Sequence, residues 1–151
     1  MLFKSVLSVV ALALSVNAAV IARQDKTFKF QVQDPKRGKL YLGEGGASTA
    51  DETKALVCTL TADVLKCGGK GFQAYPRGGD MMKLTPGTSS AGGWSIDAQD
   101  NIAWKATGVT QEIKFSIGLS GATDVYAETC PHHWASNEHG TAKAVWTTPA
   151  A

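Results

Sequence analysis

Apolar and polar side chains alternate over residues 27–33, where Phe28, Phe30 and Val32 fall on one face and Lys29, Gln31 and Gln33 on the other. A period of two marks a strand with one buried face. Asp34-Pro35-Lys36-Arg37-Gly38 then supplies a turn, with Pro fixing φ and Gly free to adopt a positive one, and Leu40-Tyr41-Leu42 returns as a partner strand. The same pattern recurs at Trp94, Ile96, Ile102 and Trp104, apolar positions on two arms joined by polar residues that end in Asp100-Asn101. This predicts a β-hairpin whose tryptophans face inward. Residues 56–67 echo it. Leu56, Leu60 and Val64 also suit one face of a helix capped by Gly68, but the strand reading puts Leu56, Cys58 and Leu60 together and matches the later hairpin.

Weaker strands are expected at 72–75 and 81–84 around the turn Pro76-Arg77-Gly78-Gly79, at 112–117, at Val125-Tyr126 after the turn Ser120-Gly121, and at 144–146. Residues 43–51 read as a loop of small side chains, with a brief helical turn available at 49–54. Short strands separated by frequent turn signals predict an all-β domain of antiparallel hairpins: β-trefoil-like, or a barrel or sandwich. The hairpin echo, offset by about 37 residues, is what raises the trefoil, although only Phe30 to Leu42 offers itself as a third copy.

The first residues change the picture from fold to location. Lys4 precedes an apolar run from Val6 to Val16, and Val16-Asn17-Ala18 has the small side chains of a cleavage site. Residues 1–18 are expected to be a secretory signal peptide, with cleavage after Ala18 or Ala19, and 19–26 a short pro-tail or disordered start ending near Arg23. The apolar run is too short to span a bilayer, and no later stretch is expected to do so. Residues 27–148 then form one domain and 149–151 a tail.

The whole chain carries a formal charge of +2, and the leader removes one cation, Lys4. Near-neutrality argues against nucleic acid and against a strongly acidic ligand. Three cysteines remain, and an oxidising route favours pairing two of them. A two-residue turn at Ala62-Asp63 would set Cys58 opposite Cys67 and permit a cross-strand bridge, with Cys130 left over. Pairing either of them with Cys130 would close a longer loop and is the alternative.

The run Gly93-Trp94-Ser95-Ile96 with Asp100-Asn101-Ile102-Ala103 is similar to a Gly-Trp-Ser-Ile…Asp-Gly-Asn-Leu-Ala run in the C-terminal domain of fungal PIR cell-wall mannoproteins. Phe115, Leu119-Ser120-Gly121, Val125-Tyr126 and Cys130-Pro131 resemble the closing segment of that domain, and Val64-Leu65 with Gly69-Lys70-Gly71 an earlier turn. Leu40-Tyr41-Leu42-Gly43 resembles a strand of the PhiA-like cell-wall proteins. The resemblance spans roughly residues 38–131 and implies a secreted or wall-associated β domain. The family's cysteine after the position of Phe115 is Gly118 here, so its disulfide scheme does not carry over. The Gln-containing repeat used for covalent glucan attachment is missing, and Gln31-Val32-Gln33 does not replace it.

Every histidine lies in one segment: His132, His133 and His139, with Glu138 beside them, are a candidate set for Zn²⁺ or Cu²⁺. His133 and His139 are six apart, which matches no helical metal spacing, so the bland alternative is an exposed loop and no cofactor is expected. Paired carboxylates for glycoside hydrolysis would have to come from Asp97, Asp100, Glu112, Asp124 or Glu128, and Asp97 and Asp100 suit turn capping better. A Cys130 thiol beside His132 or His133 is a second catalytic option. The chain has no Gly-x-Ser-x-Gly, His-Glu-x-x-His or phosphate-loop motif, and a non-enzyme is the expectation. Sugars stack on exposed aromatic rings. Tyr41, Tyr75, Tyr126 and the four tryptophans are the pool, with Trp134 and Tyr126 the preferred contacts and Trp94 and Trp104 assigned to the core. The expected function is thus a secreted, non-enzymatic fungal wall protein that is structural or binds polysaccharide, glucan or mannan. The alternatives are a secreted effector or antigen that binds a host protein, or a small hydrolase. The oligomeric state stays open.

Overall fold

The computed structural model describes residues 26–72, 81–87, 89–105, 113–117, 124–129 and 140–147. Twelve strands follow one another: β1 (Phe28–Asp34), β2 (Gly38–Leu42), β3 (Ser48–Thr49), β4 (Val57–Thr61), β5 (Val64–Cys67), β6 (Lys70–Gly71), β7 (Met81–Lys83), β8 (Trp94–Ile96), β9 (Asn101–Trp104), β10 (Ile113–Ile117), β11 (Val125–Thr129) and β12 (Thr141–Trp146). Single 3-10 turns sit at Glu44–Gly46 and Glu52–Lys54, the second capped by Asp51, whose carboxylate accepts from the Thr53 N–H. No helix among the described residues is long and apolar enough to cross a membrane.

The strands form two antiparallel sheets. The larger runs β6-β5-β4-β1-β12-β9-β8, with β2 and β3 continuing from β1 beside β4, and the smaller runs β10-β11-β7. Alternation decides what each strand buries. Phe28, Phe30 and Val32 of β1 are wholly buried in one core with Phe115 of β10, and the Phe30 and Phe115 ring centroids lie 5.4 Å apart. The fold is therefore all-β, two sheets meeting on one apolar core. The all-β expectation is met, and among the described residues no barrel closes.

Both predicted hairpins are present. In β4–β5 the register pairs Thr61 with Val64 and Cys58 with Cys67, and Ala62 takes the positive φ (54°) that the two-residue turn needs. Cys58 and Cys67 form a disulfide, fully buried. In β8–β9 Trp94 lies opposite Trp104, and the indoles stack at 4.7 Å with 2% and 4% of their surfaces exposed. Both belong to the core, as their alternation requires. The turn takes its positive φ at Asp100 (65°), while Asn101 already belongs to β9.

The two hairpins also touch. The Asp63 carboxylate accepts from the Gly93 N–H at 2.8 Å, and the Asp63 carbonyl from the Trp94 N–H at 3.0 Å. Gly93 sits at φ 94°, and a Cβ there would collide with the Lys105 carbonyl. A glycine is the residue that this approach admits. Of the weaker expected strands, 81–84 is realised as β7, 112–117 as β10, and Val125-Tyr126 extends into β11. At 72–75 only Phe72 is described, and it is buried outside any strand. Residues 1–25, where a leader is expected, and the turns expected at 76–79 and 120–121 lie outside the described residues.

A polar row across the outer sheet face

Inward positions of the large sheet are apolar, so the opposite parity defines an outer face. Four register pairs join across it. Asn101 of β9 faces Lys143 of β12, Lys143 faces Gln31 of β1, Gln31 faces Tyr41 of β2, and Tyr41 faces Thr49 of β3. Five polar side chains thus cross five adjacent strands, a row roughly 19 Å long at the usual strand spacing of about 4.8 Å. A second row, Thr141-Gln33-Lys39, runs beside it.

The row is held by its own hydrogen bonds. Gln31, 5% exposed although it points outward, donates from Nε2 to the Tyr41 hydroxyl at 3.1 Å. It also accepts from Gln33 Nε2 at 3.4 Å, and Gln33 accepts from the Thr141 hydroxyl at 3.5 Å. The Tyr41 hydroxyl donates to Glu52 Oε2 at 3.4 Å, and Lys29 anchors Glu52 through its carbonyl at 2.9 Å and its carboxylate at 3.6 Å. Gln31 is therefore a positioning residue. The half-exposed Tyr41, Lys143, Asn101 and Gln33 are the groups a ligand reaches. Such a surface offers amide, ammonium, phenol and hydroxyl groups in fixed order.

Two of the carboxylates weighed for hydrolysis, Asp97 and Asp100, are used otherwise. Asp97 caps the β8–β9 turn. It accepts from the Asn101 side chain and from the backbone N–H groups of Asn101 and Gln99, each at 2.9 Å. Those bonds, the Asn101 side chain foremost, hold its carboxyl below the ordinary value of 3.8, with Lys143 adding a smaller push in the same direction. Asp100 accepts from the Trp146 indole N–H at 2.8 Å. Asp124 is half-buried, and its backbone bridges to Ala47, while Glu128 pairs through its backbone with Lys114 and Met81.

Tyr126 alternates with the buried Val125 and Ala127, so it stands half-buried on the other face of the small sheet, in a different sheet from the row. Trp134, His132, His133, His139, Glu138, Cys130, Glu112 and Tyr75 lie outside the described residues. Among the described residues no three His, Cys, Asp or Glu side chains converge as metal ligands. Gln31, Gln33, Lys143 and Asn101 were not singled out as contacts, because their convergence depends on β12 inserting between β1 and β9. Alternation on β1 alone shows only that the two glutamines point outward.

No protein-family model, curated protein or solved structure matches the chain.

Proposed function

We propose that this chain is a secreted, non-enzymatic protein of a fungal cell wall and that it holds wall polysaccharide on the outer face of its large sheet. The five-strand row Asn101-Lys143-Gln31-Tyr41-Thr49 carries the reading. Ligand surfaces gain affinity when their polar groups are fixed before contact, because less ordering entropy is lost. Gln31 and Glu52 fix the Tyr41 hydroxyl from two sides. The apolar-leader pattern at residues 4–18 and the likeness of the 93–103 hairpin to wall mannoproteins place this surface outside the cell in the same proposal. Asp97 and Asp100, committed to a turn cap and to Trp146, support a binding role over a hydrolytic one.

The test is co-sedimentation of the purified mature protein with insoluble glucan, mannan and chitin. Retention on at least one is expected, together with a loss of severalfold in Tyr41→Ala and a smaller loss in Gln31→Ala. Wild-type protein that stays wholly in the supernatant with all three polymers would refute the reading. Equal retention of both variants would remove the row as the site.

A further inference from the structure

At the β5–β6 end of the outer face lies an open cavity of about 350 Å³, lined by Lys66, Gly69, Lys70, Gly71, Gly87 and Ser90. Its walls follow from backbone geometry. Gly71 pairs with Lys66 in register and bridges Gly87, whose N–H donates to the Gly71 carbonyl at 2.8 Å. The chain around Ser90 crosses so closely that a Cβ on Gly71 would lie 2.8 Å from the Ser90 Cα. Among the described residues the lining holds two lysines, a serine and three glycines, and no carboxylate.

On the outward strand positions of the large sheet, every charged residue among those described is a lysine: Lys29, Lys39, Lys66 and Lys143. Two turn acids also reach this face, Glu52 at Tyr41 and Lys29 and Asp97 at Asn101. Both meet the polar row, and neither lines the cavity beside Lys66.

We propose that the polysaccharide is acidic and that this cavity receives one of its anionic substituents, a carboxylate or a phosphate, between Lys66 and Lys70. The proposal rests on the polysaccharide reading above and names the class of polymer. From Gln31 on β1 to Lys66 on β5 is two strand steps across and four residues along, roughly 16 Å, so a few sugar units reach from one to the other. Amide, phenol and hydroxyl groups along the row favour a hydroxylated polymer over nucleic acid.

The test measures binding of the mature protein to a polyuronate, a phosphomannan, a neutral glucan and a short duplex DNA, at low and at physiological salt. Expected is preference for the polyuronate or the phosphomannan over the glucan, weakened by salt. Lys66→Gln/Lys70→Gln should lose up to about tenfold, from two exposed charge contacts. Gly87→Val is a second, independent variant. Gly87 lies outside the left-handed region, and its nearest neighbour to an added Cβ is the Thr85 carbonyl at 4.0 Å, so the side chain fills the cavity without backbone strain. It should lose acidic-polymer binding with an unchanged melting temperature. Binding of neutral and acidic polymers alike, insensitive to these variants, overturns this proposal and leaves the polysaccharide reading standing. No binding to any sugar polymer overturns both. Duplex DNA bound as tightly as the best polyanionic sugar, through the same lysines, overturns the assignment to polysaccharide.

Discussion

Trp94 and Trp104 stack face to face at the centre of the core, yet their indole N–H groups have opposite fates. Trp104 donates to the Gly92 carbonyl at 3.0 Å, whereas the buried Trp94 Nε1 has no acceptor among the described residues. Replacing each in turn by Phe removes the same atoms from sites of similar burial, so the apolar transfer and cavity losses nearly cancel between the two variants. What remains is polar. Trp104→Phe forfeits a hydrogen bond worth a net 0.5–1.5 kcal/mol or so, while Trp94→Phe relieves an unsatisfied buried donor that costs about 1–3 kcal/mol. Trp104→Phe should therefore be the less stable protein by about 2–4 kcal/mol. Urea unfolding of both variants, compared at equal m-values, gives that difference directly. Equal destabilisation, or a larger loss in Trp94→Phe, would refute the assignment of the two N–H groups.

Removing the Cys58–Cys67 bridge by a double Ala substitution opens a loop spanning a separation of 9 residues. The chain-entropy model then gives a loss of about 2.5 kcal/mol, readable as a lower denaturation midpoint. Gly93→Ala should destabilise by more than about 2 kcal/mol, and Gly38→Ala, also at positive φ but in open space, by only about 1 kcal/mol; thermal melts of the pair separate collision from conformation. Asp97 has a folded-state pKa below its ordinary 3.8, so its contribution is complete above that value and disappears as pH falls through the lower, folded one. An NMR titration should show the Asn101 amide and side-chain signals moving together with the Asp97 carboxyl, with a midpoint below 3.8. A midpoint at or above it would contradict the cap.

Local signals were the legible ones. Alternation on Phe28-Lys29-Phe30 and on Trp94-Ser95-Ile96 announces which side of each strand is buried, and burial follows it. The Ala62-Asp63 turn fixes the β4–β5 register, and with it the cysteine pairing, because a hairpin's register is set by its loop. Neighbours distant in the chain were not legible. Nothing local to Gln31 shows that Tyr41 will stand on one side of it and Lys143 on the other. The cavity beside Lys66 depends in the same way on Gly87, Ser89 and Ser90 coming up against Gly71. Trp146 packs its ring edge-on against Phe28 at 5.3 Å while its N–H reaches out to Asp100, so it is core on one side and surface on the other, which alternation alone does not show.

The middle of the large sheet is a join between its first strand and its last. Phe28 pairs with Trp146 and Val32 with Ala142, and the Thr147 N–H closes the ladder on the Thr27 carbonyl at 2.9 Å. Contacts of such long sequence separation carry a loop-closure cost that must be met before any packing rewards it, and they slow folding. A chain still being made can form its two hairpins, but β1 keeps one edge open until β12 has emerged. Its core therefore assembles late, after nearly the whole chain is available. The secretion proposed above accords with that delay, because a polypeptide threaded through a translocation channel has to stay unfolded until its end is through.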